Sequence, residues 1–566
     1  MALPPRLAAV LLAALAAPTA LAQADGLQLP EDDVHQFLDR QRVLGHLPDG
    51  DLGAKPLSVY AAQALLDSLA LADSLLAPVD RRRLAELRGE SVGGVFGPAI
   101  AGRTPLYDDG QAFARVTGKV GGSEYGLEVA PLGYVDGGLV EQTESVASDA
   151  ETWRFSRGVR AAGHVGRFFF DMKALENQAR VPLGRVQRDE ITAPRLGFVR
   201  YPAGREPYYD YFVASGVAGY RGDVLEARLG RDRNAWGYGR ASLALDDYAT
   251  AYDQLQLRWA VWRLSFQTLY ARMVDPRPER GSGDRLLPQR YVALHRLAAD
   301  LGPVEAEVFE TIVFASDTSA SGRRDGFELA YLNPFQFYRA TERELGSPDN
   351  ALLGAGIAWR ALPGLRLYGQ GILDELTVSR LRDDYWGNKW AFIAGAEVSD
   401  PGVPGLGRIR GLDLQAEYAR LRPYLYSHFA LESSFVHYGD GLGHPAGPNA
   451  SDTSARVRYR PTAHVEAALD LSYTVRGRNT DSLNYGSDPT RTYLDRTSND
   501  DVPTLQGVRQ REWLVEGRAG VRLLPDLTAG AAVRFRSVDD ALDGRTRYVA
   551  PLLYARWGLP FASDRY

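Results

Sequence analysis

The residues of this chain best suited to chemistry are aromatic rings set among charged and amide side chains. In "GRDRNAWGYGR" (230–240), Trp236 and Tyr238 alternate with glycines between Arg231 and Arg240, and Asp247, Tyr248 and Tyr252 follow closely. "DDYWGNKW" (383–390) brings Tyr385, Trp386 and Trp390 beside two aspartates and an asparagine. A flat ring accepts the weakly polar C–H face of a sugar while neighbouring polar groups bind its hydroxyls. These clusters therefore point to carbohydrate binding. The plainer role for any one of these rings is to anchor the rim of a membrane protein, where Tyr and Trp gather at the interface.

Signs of catalysis are thin, and a non-enzymatic role is expected. No G-x-S-x-G, H-E-x-x-H, Walker or EF-hand pattern is present. His428, His437 and His444 share one polar stretch, but their spacings match no standard metal-ligand pattern. Ser265 and His295 fall in neighbouring predicted strands, the one serine–histidine pairing that suggests a hydrolase, and a coincidence of that kind is expected in a polar chain. No cofactor is implied. Cysteine is absent, so neither disulfides nor thiolate metal sites contribute.

These side chains must be carried by some scaffold. Residues 1–22, with Arg6 followed by "LAAVLLAALAAPTA" and the small-residue run "ALA", have the form of a secretory signal cleaved near Ala22. Residues 23–90 read as a helical module. Val34, Phe37 and Leu38 share one helical face, and Ala62, Leu65, Leu66 and Leu69 share another after a Ser58 cap. "VDRRRLAELRGE" suggests a third short helix, and the apolar stripe needs a partner surface.

From about residue 91 to 566 the period changes to two. Val465, Ala467, Leu469, Leu471, Tyr473 and Val475 oppose His464, Glu466, Asp470, Ser472 and Thr474. In the same way Leu255, Leu257 and Trp259 oppose Gln254, Gln256 and Arg258. Short turns such as "RGD" (221–223) and "LPG" (362–364) alternate with long polar stretches such as 232–252, 316–351 and 428–453. Strands of about ten residues joined in this way predict an outer-membrane barrel, all-β and antiparallel, with its apolar face toward lipid. Nineteen strand-like segments can be counted, whereas a bacterial barrel takes an even number. About eighteen are expected, and the spacer 399–410 is unusually long for a short-side turn.

Charge narrows the partners. With 65 basic and 71 acidic side chains the net charge is −6, and loss of Arg6, the only charge of the leader, makes it −7. That excludes the basic footprint of a nucleic-acid binder. Glu226, Arg228, Arg258, Glu305, Glu307, Arg456, Arg458, Glu512, Glu516 and Arg518 fall on the inward face with mixed sign. A porin lining biased to one sign is one reading of such a set. The mixture favours a filled, salt-bridged lumen.

Several longer stretches resemble the capsule assembly protein Wzi family. They are "GRDRNAWGYGR", "AYLNPFQFYRATERELGSPDNALLG" (330–354), "YSHF" (426–429) and "GLGHPAGPN" (441–449). The likeness spans most of the mature chain and is weakest over 176–207 and 476–510. It implies an eighteen-stranded outer-membrane barrel with an N-terminal helical module docked at the periplasmic end through its apolar stripe. It also implies a lumen closed by loops and a surface lectin role in holding capsular polysaccharide to the cell. The motif positions are Arg231, Trp236, Gly237, Gly239, Asn333, Pro334, Tyr338, Glu342, His444 and Asn449. Together with the aromatic clusters they define the candidate polysaccharide ligands: Arg231, Trp236, Tyr238, Arg240, Asp247, Asn333, Tyr338, Tyr385, Trp386, His444 and Asn449. The expected partners are surface polysaccharide, outer-membrane lipid and periplasmic export machinery. The alternative is an outer-membrane diffusion channel or exporter for small solutes or oligosaccharides.

Overall fold

The computed structural model describes residues 33–47, 50–88, 90, 93–96, 114–142, 150–180, 192–193, 196–200, 208–274, 289–315, 328–346, 349–405 and 407–562. The leader, and most of the long stretches around 176–207, 274–289 and 316–327, lie outside the described residues.

Among the described residues the wall is a closed antiparallel barrel of eighteen strands. In chain order they are β1 Ser123–Gln142, β2 Ala150–Val165, β3 Phe168–Arg180, β4 Tyr209–Arg221, β5 Leu225–Asp232 and β6 Tyr252–Val261. There follow β7 Leu264–Val274, β8 Gln289–Asp300, β9 Val304–Ala315, β10 Asn350–Leu362, β11 Leu365–Glu375 and β12 Lys389–Ser399. The last six are β13 Leu412–Leu421, β14 Ala450–Tyr459, β15 Val465–Arg478, β16 Val508–Arg522, β17 Leu527–Asp540 and β18 Gly544–Trp557.

The odd strand of the sequence count is Ala114–Val120. It pairs with β1 from Ser123 to Val129, while β18 pairs with β1 from Gly133 onward. The two segments thus share one edge of the twenty-residue β1 end to end, so nineteen segments make eighteen positions around the circuit.

The predicted alternation holds on the outer face. Leu229, Phe212, Val308, Ile357, Leu469 and Trp513 are exposed apolar side chains of a lipid-facing belt. The inner face departs from expectation on β7–β13. There Leu269, Met273, Val292, Leu294, Phe309, Val313, Leu352, Ile372, Ile393 and Leu421 point inward and are fully buried. Apolar side chains are stable in a barrel bore only if something dry covers them, and two long-side loops do so. Residues 233–251, between β5 and β6, and 422–449, between β13 and β14, fold into the bore. They contribute Trp236, Leu243, Leu245, Leu425, Tyr426, Phe435 and Leu442 to the same core.

The helical module consists of α1 Asp33–Leu44, α2 Val59–Leu71 and α3 Pro78–Leu87, and α2 carries the predicted cap, Ser58 Oγ accepting from Ala61 N at 3.3 Å. Its apolar stripe does not dock on the barrel. Val34, Phe37, Leu38, Ala62, Leu66 and Leu69 close on Leu84 and Leu87 in a core of their own. The module meets the short-turn end of the barrel through ions instead, because the inward strand ends there are charged. Arg40 reaches Asp80 at 3.0 Å and both Asp400 and Asp413 at 2.6 Å. Arg42 binds Asp300 at 2.7 Å, and Arg522 binds Asp33 and Glu86 at 2.8 and 2.9 Å. The long spacer after β12 is explained by this docking. It places Asp400 against Arg40, Arg410 and the Gly411 amide.

Candidate functional site

The inserted loop 233–251 is built around a few hydrogen bonds. Ser242 Oγ accepts from the amides of Ala244 and Leu245 at 3.1 and 3.2 Å and donates to the Trp236 carbonyl. Asp246 accepts from the amides of Ser242 and Tyr248 at 2.9 and 3.0 Å, closing the turn. The wall takes up the remaining backbone groups. Glu417 accepts from Arg240 N at 2.8 Å, and Gln370 accepts from Leu243 N at 2.7 Å. Gly239 is required by this approach, since a Cβ there would lie 2.4 Å from a Glu417 oxygen.

The helical module meets the loop inside the bore. Ala54 and Lys55 pair in antiparallel register with Trp236 and Ala235, and Gly237 N donates to Gly53 O at 2.7 Å. A Cβ on Gly53 would stand 2.3 Å from the Arg296 guanidinium, so glycine permits the contact. The barrel is therefore occupied from both ends, by the module on the short-turn side and by two loops on the other.

A cavity of about 240 Å³ remains between α1, the inserted loop and the inner faces of β12–β16. Trp236, Tyr238, Arg240 and Asp247, four of the predicted ligands, line it, and so do Arg458 and Phe561. Tyr238 lies near the guanidinia of Arg296 and Arg366, at 6.0 and 5.5 Å from its ring centre. Arg240 pairs with Asp470 at 2.7 Å. Trp236 is 1% exposed and belongs to the loop core, so its ring has no open face for a ligand.

The other candidates are dispersed. Tyr385 and Trp386 are half-buried on the long-loop side. Arg380 sits 4.2 Å over the Tyr385 ring, Arg496 sits 4.1 Å over Trp386, and Tyr493 lies 4.8 Å from Trp386. His444 and Asn449 are buried structural residues. His444 Nδ1 accepts from Ala446 N at 3.1 Å. Asn449 holds a positive φ of 56°, donates to the carbonyls of Gly477, Tyr485 and Gln506, and accepts from Leu505 N. They staple loops and present nothing to a ligand.

Arg231, Asn333 and Tyr338 lie on the outer wall. Arg231 alternates with the inward Glu226 and Arg228, so it faces outward, paired with Asp253 at 3.3 Å beside Arg272. Residues 328–346 lie down along the outside of β7–β9. Phe335 stacks on Phe266 at 5.9 Å and Tyr338 on His295 at 4.2 Å. Glu310, outward on β9, accepts from the amides of Tyr338 and Arg339 at 2.9 Å and caps the helix α4 Tyr338–Leu345. Asn333 is exposed, and its side chain accepts from Phe335 N to build the preceding turn. Glu310 was missed in the sequence, and its one signal is a carboxylate among Val308, Ile312 and Phe314 on a lipid-facing row.

The serine–histidine pairing does not form. Ser265 faces the bore beside Arg258, whereas His295 faces outward to Glu310 and Tyr338. Among the described residues no cluster of three or more His, Asp or Glu is arranged to hold a metal. The loop histidines are used by the backbone instead. His437 Nδ1 accepts from Val274 N at 3.0 Å, and His428 Nδ1 accepts from Ala430 N at 3.3 Å.

Burial pushes His437 down to about 3 against the opposing effect of the Ala251 carbonyl. Burial and then Lys389 push His428 to the same value. Because both folded values lie below the unfolded one near ~6.5, the stability they confer is complete above that pH. It is lost as pH falls toward about 3. Conductance in planar bilayers is therefore expected to rise as the pH is lowered through this window, and His437→Asn should blunt the rise. A flat profile in the native protein would contradict neutral, buried imidazoles as loop supports.

Comparison with known proteins supports the architecture. No family model matches the chain, and no curated protein matches it by sequence. The solved structure of Wzi, an outer-membrane protein involved in group 1 capsule assembly in Escherichia coli and a carbohydrate-binding β-barrel, is similar over 95% of this chain and 100% of that one. The identity is 12% and the TM-score 0.53. Two other solved structures are more distant. Pseudomonas aeruginosa OccK9 shares 11% identity over 76% of this chain and 98% of its own, with a TM-score of 0.42. Acinetobacter baumannii OccAB2 shares 9% over the same fractions, with 0.41. The chain thus has the fold of an outer-membrane β-barrel.

Proposed function

We propose that this protein is a non-catalytic outer-membrane component that binds surface or capsular polysaccharide and helps attach it to the cell. The observation that carries this reading is the double occlusion of the bore, which suits a barrel that holds a ligand rather than passing one. The carbohydrate binding of the Wzi barrel, similar in fold, supports it. With the module turned to the periplasm, the long loops face outward and offer the Tyr385–Trp386 pair with Arg380, Arg422 and Arg496 around it. This is a half-buried aromatic pair with guanidinium donors resting over its rings, which a sugar would have to displace or bridge.

Loss of the gene is expected to release polysaccharide into the medium while synthesis continues. Trp386→Ala should weaken retention by about tenfold, in line with an aromatic anchor worth over ~1 kcal/mol, and leave the barrel folded. Unchanged cell-bound polysaccharide in both strains would refute the reading.

The second reading is a diffusion channel or exporter for small solutes, and the cavity beside the inserted loop favours it. It predicts steady conductance of the native protein at neutral pH, whereas an occluded barrel shows only rare openings.

A further inference from the structure

One side of the bore is richly basic. Arg456 and Arg458 point inward from β14 and Arg460 follows at its end, with Arg518 from β16, Arg556 from β18 and Arg240 from the inserted loop facing the same cavity. The carboxylates on that side are fewer. Asp470 serves Arg240 at 2.7 Å, Arg518 at 2.9 Å and Arg456, and Arg518 also meets Glu516 at 3.5 Å. Glu466 is held by Arg556 at 3.0 Å, and Asp413 is shared between Arg460 and Arg40.

Arg458 is left over. Among the described residues it forms no hydrogen bond or ion pair, and its Nε is shut away from solvent without an acceptor. The acids on the opposite side of the cavity are committed elsewhere. Asp33 binds Arg83 and Arg522, Asp39 binds Lys55 at 2.6 Å, Glu397 binds Arg366 at 3.0 Å, and Asp246 caps backbone amides. Asp247 at the loop margin is the remaining acid.

Arg458 is partly buried, with its Nε shut from solvent and a like charge on either side, and an anion that joins it there offsets that cost. Its planar fork matches a carboxylate or phosphate in bidentate fashion. We infer that the cavity is an anion site in which Arg458, between Arg456 and Arg460, receives one small carboxylate- or phosphate-bearing unit. At about 240 Å³ the space falls below the ~300 Å³ where pockets for drug-sized ligands begin. A single unit fits it, and a length of polymer does not. The site is separate from the Tyr385–Trp386 pair, so either can fail without the other.

The test is calorimetric titration of the full-length protein in detergent with glucuronate, glucose and inorganic phosphate. Glucuronate or phosphate should bind and glucose should not. The tighter of the two anions tells whether a sugar acid or a free phosphate is the natural source. Arg458→Gln should weaken anion binding roughly tenfold, about 1.4 kcal/mol, and Arg458→Lys should retain most of it. The heat-dependent gel mobility of folded barrels verifies that each variant is intact. Equal binding of glucose, no binding of either anion, or undiminished binding by folded Arg458→Gln overturns the inference. If Arg458→Gln does not fold, the comparison of the three probes on the native protein decides it alone.

Discussion

Replacing Trp236 by alanine is expected to unseat the inserted loop and turn an occluded barrel into a conducting one. The indole is 1% exposed and packs in the bore core. Its backbone is held from two sides, by Ala54 of the module and by Leu245 of its own loop. Truncating a buried Trp costs about 3–5 kcal/mol through lost transfer energy and the cavity left behind. That cost falls on a loop and not on the eighteen-stranded ladder, so the wall should stay closed while the loop samples open states. The expected result is frequent large conductance steps for Trp236→Ala in planar bilayers, with native gel mobility. Trp236→Phe, which keeps most of the volume, should behave nearly as the native protein. Silence from Trp236→Ala would mean that the segment 422–449 and the module suffice to close the bore.

The second large effect is expected at Arg40. This one guanidinium bridges three carboxylates from separate parts of the chain: Asp80 on α3, Asp400 in the spacer and Asp413 on β13. Asp400 retains Arg410 and the Gly411 amide, and Asp413 retains Ser399 and Arg460. Arg40→Met leaves Asp80 buried without its cation, and breaking such a pair costs about 3–5 kcal/mol. The module spends its apolar stripe on its own core, and this guanidinium is its ion-pair link to the spacer and β13. Arg40→Met should expose residues 33–88 to protease in solubilised protein while the barrel remains resistant. Arg40→Lys should be intermediate, because a point charge cannot serve three carboxylates at once. Unaltered protease resistance in Arg40→Met would show that the other contacts, among them those of Arg42, Arg522, Asp51 and Ser58, suffice.

Much of the wall was legible in the sequence because lipid and bore impose a period of two that a single chain displays openly. The rows Leu255–Leu257–Trp259 and Leu469–Leu471–Tyr473 face outward as their alternation predicts, and even the surplus nineteenth segment was a true strand, Ala114–Val120. The candidate site was less legible. Trp236 and Tyr385 look alike in sequence, an aromatic beside glycine and charge, yet one is buried in the bore core and the other lies half-open on the long-loop side. Tyr338 and Asn333 belong to a segment laid against the outside of the wall. No local signal separates these fates, because each depends on which face of the barrel a loop falls back upon.

What the sequence determined by itself is the identity of the scaffold. Alternation, turn lengths and the mixed charges of the inward row are local properties, and each residue carries its share of them. Tertiary structure alone decided that β7–β13 bury an apolar patch toward the bore as well as one toward lipid, and that the other side of the bore is left with more guanidinia than carboxylates. Those outcomes arise when two loops and a helical module enter the bore from opposite ends and divide its space unequally. A dry filler demands apolar neighbours, and the arginines that it leaves uncovered must find charge elsewhere.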